Sequence, residues 1–284
     1  MRDEKTMILV FGKTGQVAQA LSQFDQVICL GRDDVDLTNL DACRDAILSC
    51  DVKAVINAAA YTAVDNAEND EVLAAVINEV APAAMAEACA QKNIPFVHFS
   101  TDYVFNGTGE LAWHPQDDPE PLNAYGRTKL QGEQAIIESG CIFAIIRTSW
   151  VFSAKGKNFL NSMLHLSETR DTLNVINDQH GGPTSASALA EASIIVAEAL
   201  QTSPEKAGIY HLSGTPDTSW YDFAQHIFDV FDKKLILHPI PTKDYPSAAT
   251  RPLNSRLDCS TLYDVFGIER PNWRDDVDRI RWKK

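Results

Sequence analysis

A chain of 284 residues can bury a large core, and one α/β domain with a smaller lobe is its expected organisation. Its 25 Lys and Arg stand against 39 Asp and Glu, a formal charge of −14, which disfavours nucleic acid or an anionic membrane as a general partner. Six cysteines without a CxxC pair and seven histidines without an HxxxH pair give no zinc pattern and read as reduced thiols of a cytoplasmic protein.

The chain opens on Arg2-Asp3-Glu4-Lys5, which has no signal-peptide pattern, and its longest apolar stretches are expected to fall well short of the ~20 residues of a membrane span. Residues 6–11 form a short apolar run suited to a buried parallel strand. Gly12, Gly15 and Ala18 follow at the spacing of a dinucleotide loop. Gly12 permits a tight turn, Gly15 lets backbone amides approach a pyrophosphate, and Ala18 allows close helix–strand packing. The next helix N-terminus offers partial positive charge to phosphates. An ordinary Gly-rich turn remains the other reading.

The second strand, 26–30, ends in Gly31-Arg32, where a dinucleotide fold reads the adenosine ribose. An Arg there accommodates a 2′-phosphate and favours NADP(H), unless it merely points into solvent. Asp36 and Leu37 are placed to line the adenine side. The third strand, 54–57, runs into Ala58, Ala59 and Ala60, which either leave room for a flat ligand or pack under the next helix. Asp65 and Glu68 read as an acidic first helical turn.

The fourth strand, 96–99, delivers Ser100, Thr101 and Asp102. Tyr125 and Lys129 then lie one turn apart on a helix face. A phenol ordinarily titrates near ~10, and a neighbouring ammonium brings it toward the working range. Tyr125 can then exchange a proton with a substrate oxygen that Thr101 also bonds. Beyond this, helices are expected near 158–168, 185–201 and 220–231, and strands near 208–212 and 235–240. Loops at 113–121 and 239–252 are expected to border a cleft. Arg251, Asn254 and Arg256 form a polar cluster suited to phosphate, or else the arginines pair with Asp244, Asp258 or Asp264.

These motifs occur in order along the whole chain: residues 11–17, 57–65, 100–105, 125–129, 147–152 (Arg-Thr-Ser-Trp-Val-Phe), 177–184, 219–221 and 251–257. With them the chain resembles the extended short-chain dehydrogenase/reductases and, within that superfamily, the dTDP-4-dehydrorhamnose reductases. The resemblance implies a Rossmann-type doubly wound parallel sheet with a smaller α/β substrate-binding lobe. It implies NADPH (or NADH) reduction of a nucleotide-linked 4-keto-6-deoxyhexose, the last step of dTDP-L-rhamnose synthesis. Thr101, Tyr125 and Lys129 are then the catalytic set. Cofactor contacts fall on Gly12, Thr14, Gly15, Gln16, Val17, Arg32, Asp36, Leu37, Ala58, Ala59, Ala60, Tyr125 and Lys129. Substrate contacts fall on Thr101, Asp102, Tyr103, Tyr125, Trp150, Arg251, Asn254 and Arg256, with Trp150 either facing the sugar or packing in the core beside Phe152.

Some members bind a metal at a dimer interface through two glutamates. Those positions fall on Ala20 and Ser187 here, Glu191 lying a turn beyond, so no metal is expected and the protein is a monomer or homodimer. The expected split is 1–150 with roughly 175–205 as the NAD(P)-binding domain, and roughly 151–174 with 206–284 as the nucleotide-sugar lobe. The alternatives are a reductase or epimerase of another 4-keto-6-deoxyhexose nucleotide, or a non-catalytic NADP-binding regulatory subunit of the same fold.

Overall fold

The computed structural model describes residues 7–283, so Thr6 of the first apolar run and the stretch 2–5 lie outside the described residues. A six-stranded sheet carries the architecture. Its strands are β1 (Ile8–Phe11), β2 (Val27–Leu30), β3 (Ala54–Asn57), β4 (Phe96–Thr101), β5 (Phe143–Thr148) and, after short lobe strands, β10 (Gly208–His211). All pair in parallel, in the order β10-β5-β4-β3-β1-β2. The order reverses between β1 and β3, and a crevice opens beyond their carboxyl ends.

The strands are short continuous apolar runs because both faces of the sheet are covered. Period-two alternation divides each strand between two cores. Ile8, Val10, Ala54, Ile56, Ala144 and Ile146 pack on one face with α1 (Gln16–Leu21) and α8 (Ala186–Thr202). Leu9, Phe11, Val55, Phe96 and Ile145 pack on the other with α2 (Leu40–Ser49) and α5 (Ala81–Lys92).

Between β3 and α5 lie α3 (Val64–Ala67), α4 (Glu71–Ala75) and a π-helical turn at Val76–Val80. The run Glu71–Lys92 is continuous, 22 residues long, and apolar enough by length and composition to cross a membrane, with half of its apolar window buried inside the protein. Counting uninterrupted apolar residues misses it, because Glu79 and Glu87 break the run. The π turn approaches α6 (Ala124–Glu138) closely: a Cβ on Gly132 would lie only 2.0 Å from the Asn78 carbonyl oxygen. Asn78 then spends its side chain holding Tyr61 N–H, Tyr61 C=O and the Thr128 hydroxyl.

The lobe is assembled from β6 (Val151–Phe152), α7 (Phe159–Leu166), β7 (Thr172–Ile176), β8 (His180–Gly181), β9 (Thr184–Ser185), β11 (Thr218–Ser219), α9 (Trp220–Val230), β12 (Ile236–Ile240), β13 (Asn254–Ser255) and α11 (Trp273–Lys283). Its strands form small sheets, β12-β7, β11-β8-β13 and β6-β9. Phe152, Leu160, Phe223, Phe228 and Trp273 fill the lobe core. Two segments depart from the sequence reading: 208–211, expected in the lobe, is β10, the edge strand of the main sheet beside β5, and α10 (Ser260–Phe266), also expected there, packs Leu262 into the main core. Tyr210 and Leu212 bury against the α8 face, which outweighs their position in the chain.

Helix α6 is locked to the sheet by a buried ion pair. Arg147 of β5 meets Glu133 at 2.6 Å through Nη2 and 2.9 Å through Nε, with both side chains almost fully buried. Ser100 of β4 donates to the same carboxylate. Glu133→Gln should leave Arg147 buried without its counter-charge and lower stability by about 3–5 kcal/mol, whereas Glu133→Leu with Arg147→Met should recover most of that loss. Urea unfolding of the two variants checks this; equal midpoints for Glu133→Gln and wild type would refute it.

Candidate active site

One cleft of 580 Å³ opens at the reversal of strand order. Gly12, Thr14, Gly15, Gln16, Val17, Arg32, Asp36, Leu37, Ala58, Ala59, Ala60, Tyr125 and Lys129 all line it. Gly12 is required by geometry. Its φ is +118°, and a Cβ there would sit 3.2 Å from the Ala58 carbonyl group and 3.3 Å from the Ala18 Cβ. The small residues at Ala18 and Ala58 are thus the two walls of that turn. Gln16 is different, because its side chain is already occupied. Nε2 donates to Val151 C=O at 3.2 Å, and Oε1 accepts from Ser153 at 2.8 Å and Asn158 at 2.7 Å. Its carboxamide ties α1 to the lobe.

At the ribose end, exposed Arg32 stands beside Gly31, whose N–H donates to Asp34 at 2.8 Å. Lys13, which the sequence reading did not single out, reaches the same carboxylate at 3.3 Å. That hydrogen bonding holds the Asp34 carboxyl below its usual range. Asp36 folds back onto Thr38, accepting from its N–H and hydroxyl at 2.9 Å each. Lys157 and Gly156, from the loop after β6, close the far side.

At the other end, β4 and α6 bring Thr101 and Tyr125 together. Asn123 caps α6 by accepting from Gly126 N–H at 2.8 Å, and its Nδ2 donates to Thr250 C=O at 2.8 Å. Tyr125 therefore sits in the first turn. Burial pushes its hydroxyl up to about 12, against the hydrogen bond from Thr101, with the Asp102 charge adding to the rise. Thr101 Oγ1 also lies 3.1 Å from Asp102 Oδ1 and accepts from Tyr103 N–H.

This corrects one expectation. Lys129 does not lower Tyr125 here, because its Nζ turns inward to Phe99 C=O at 2.7 Å and His98 Nε2 at 2.8 Å. Burial lowers Lys129 itself to about 8, with Glu133 opposing. Asp102 is buried with Oδ2 unpartnered, and burial raises its carboxyl to about 7 against hydrogen bonds from Ser255 and Thr101.

The remaining expected contacts lie outside the cleft lining. Tyr103 packs edge-on to Tyr125, with ring centroids 5.7 Å apart. Trp150 takes a left-handed backbone, φ +50°, and stacks on Trp220 at 3.7 Å. Arg251 pairs with Asp65 at 2.8 Å rather than with Asp244, Asp258 or Asp264, so Asp65 is more than an acidic helix start. Asn254 is buried and its amide is consumed internally: Nδ2 donates to Leu111 C=O at 2.7 Å, and Oδ1 accepts from Arg256 at 3.0 Å. It positions Arg256 and has no free amide for a ligand.

The family model described as RmlD substrate binding domain matches residues 6–284. A dTDP-4-dehydrorhamnose reductase of Sinorhizobium fredii is 40% identical over 289 residues, covering 97% of this chain and 96% of the relative. One of Salmonella typhimurium is 40% identical over 290 residues, covering 96% of each. Among solved structures, a dTDP-4-dehydrorhamnose reductase of Bacillus anthracis in complex with NADP superposes with a TM-score of 0.91 at 30% identity, covering 99% of this chain and 100% of that one.

Gly12→Ala should strain the turn by about 1–3 kcal/mol and narrow the cleft floor. Both the melting temperature and dinucleotide affinity should fall; a variant with both unchanged would mean the turn does not set the floor.

Proposed function

This chain belongs to the dTDP-4-dehydrorhamnose reductase family, and on that premise we propose that Tyr125 is the general acid in its NAD(P)H-dependent reduction of dTDP-4-dehydro-L-rhamnose to dTDP-L-rhamnose. The observation that carries the assignment is the half-buried Tyr125, its hydroxyl bonded to Thr101 at the end of the Gly12–Ala58 cleft.

The residues present fit a dinucleotide. The Cβ-free floor at Gly12 and Gly15 and the amino end of α1 would receive the pyrophosphate. Lys13 and Arg32 would flank a 2′-phosphate, and half-open Ala58 and Ala59 with exposed Ala60 would lie under the nicotinamide side. When bound, the reduced nicotinamide supplies the hydride for C4 of the sugar.

The protein's own groups handle the oxygen. A hydroxyl raised to about 12 stays protonated at neutral pH, so Tyr125 enters the reaction loaded as an acid. It gives that proton to the carbonyl oxygen as negative charge develops there, while Thr101 donates a second hydrogen bond. The buried setting strengthens both interactions. In a chain of net charge −14, Arg251 and Arg256 supply local positive charge for a nucleotide diphosphate, each held in place by a neighbour. Trp150, backed by Trp220, offers a flat face to the sugar. We assign the cofactor to the six-stranded sheet and the nucleotide sugar to the lobe, and place the enzyme in the cytoplasm as a monomer or homodimer acting on a small molecule.

Tyr125→Phe should reduce kcat by about 10²–10⁴-fold with cofactor affinity little changed. NADPH consumption with dTDP-4-dehydrorhamnose measures it, and full turnover in the variant would remove Tyr125 from the role. Arg32→Ala should raise KM for NADPH by about 10-fold, the value of one charge-assisted hydrogen bond, and leave KM for NADH unmoved. Equal effects on the two cofactors would show that Arg32 does not read the 2′-phosphate.

A further inference from the structure

Behind Tyr125 lies a buried chain that the reduction as described does not use. Asn57 at the end of β3, His98 on β4 and Lys129 on α6 are each 1% exposed. Asn57 Oδ1 accepts from Ala59 N–H at 3.1 Å, which fixes the direction of its amide. Its Nδ2 therefore faces His98 Nδ1, at 3.1 Å, as a donor. A neutral imidazole has one bare nitrogen and one N–H. With Nδ1 accepting from Asn57, the proton belongs on Nε2, which faces Lys129 Nζ at 2.8 Å.

An ammonium has three donors and no acceptor, so it cannot receive that N–H. A neutral amine can. It accepts from His98 Nε2 and still donates to Phe99 C=O at 2.7 Å. The alternative, a charged Lys129 bonded to a bare Nε2, would place an N–H on Nδ1 against the Asn57 NH₂. Reversing Asn57 would only move the clash to Ala59 N–H. The buried network closes in one arrangement.

We propose that His98 is a positioning residue that, with its tautomer set by Asn57, holds Lys129 as a neutral amine in the cofactor-free enzyme at alkaline pH, and that Lys129 takes up a proton when NADPH docks there. This rests on reading the cleft as an NADPH site. Lys129 lines that cleft, and the docked cofactor would bring phosphate charge and ribose oxygens into it. Those groups favour the ammonium. The ionisable groups around Lys129 are His98, Tyr125 and Glu133 one turn either way on α6, and Arg147 through Glu133. Burial, the larger cause, keeps the His98 imidazole far below its ordinary range even beside a neutral Lys129, so His98 does not charge in its place. The lowering of Lys129 to about 8 agrees with an amine on the verge of titration.

Two measurements test this. Nitrogen NMR of ¹⁵N-histidine-labelled, cofactor-free protein at pH 9 should show His98 with a bare Nδ1 and a protonated Nε2, the signals identified by their loss in His98→Gln. Should that variant not fold, their shift in Asn57→Asp identifies them. An Nδ1–H tautomer or an imidazolium would overturn the proposal, whether or not NADPH binds. Calorimetric titration with NADPH in buffers of different ionisation enthalpy should show uptake of about half a proton at pH 8, rising toward one at pH 9. The 2′-phosphate, titrating near ~6, does not contribute there.

Asn57→Asp is nearly isosteric and keeps an acceptor for Ala59 N–H, but its carboxylate claims a proton on Nδ1. Nε2 then becomes an acceptor, Lys129 starts as ammonium, and the uptake at pH 8 should fall severalfold. Tight NADPH binding without proton uptake in the wild type would overturn the proposal. Failure to bind NADPH at all would instead defeat the functional reading, leaving the NMR result to decide the tautomer.

Discussion

The guanidinium of Arg147 and the carboxylate of Glu133 meet in the interior between β5 and α6, and the placement of Tyr125 and Lys129 follows from that contact. Burying two charges is unfavourable unless geometry and extra hydrogen bonds compensate. Here the contact is bidentate, Ser100 adds a donor from β4, and Arg147 reaches Pro115 C=O and lies over the Phe105 ring. Such a pair tolerates little sliding. Because α6 is held at Glu133, one turn beyond Lys129 and two beyond Tyr125, its register against β4 is set. Asn78 and Gly132 hold an adjacent face of the same helix through the π turn.

Desolvation then sets the chemistry. The same closeness that orders α6 buries Asp102 and Lys129 and half-buries Tyr125, and this desolvation raises the two acids and lowers the amine. Each shift disfavours a charged form in the absence of ligands. A reductase benefits from that state, since charge is to appear on the substrate oxygen and has to be met by a proton already in place. Lys13 and Arg32 lie at the open end of the cleft, and Arg251 and Arg256 lie outside its lining, so both proposed phosphate sites carry positive side chains.

Much of this was legible from the chain. Buried parallel strands write themselves as short apolar runs, and β1 alternates its residues between two cores. The Gly12-Gly15-Ala18 spacing and the one-turn separation of Tyr125 and Lys129 are local geometry, readable because a turn or a helix determines them within a few residues. What the pattern could not carry was partner choice. Arg251 finds Asp65 across 186 positions, not a nearby acid, and Gln16 binds Val151 135 positions away. Residues 208–211 join the main sheet because β5 leaves an edge to fill.

Lys129 shows the division most clearly. The sequence by itself determined that it shares a helix face with Tyr125, since helical periodicity depends only on spacing. Only the tertiary structure decided that its nitrogen turns to Phe99 and His98. That choice depends on which acceptors the sheet buries beside it and on the loss of water around them, and both arise from residues brought together by folding.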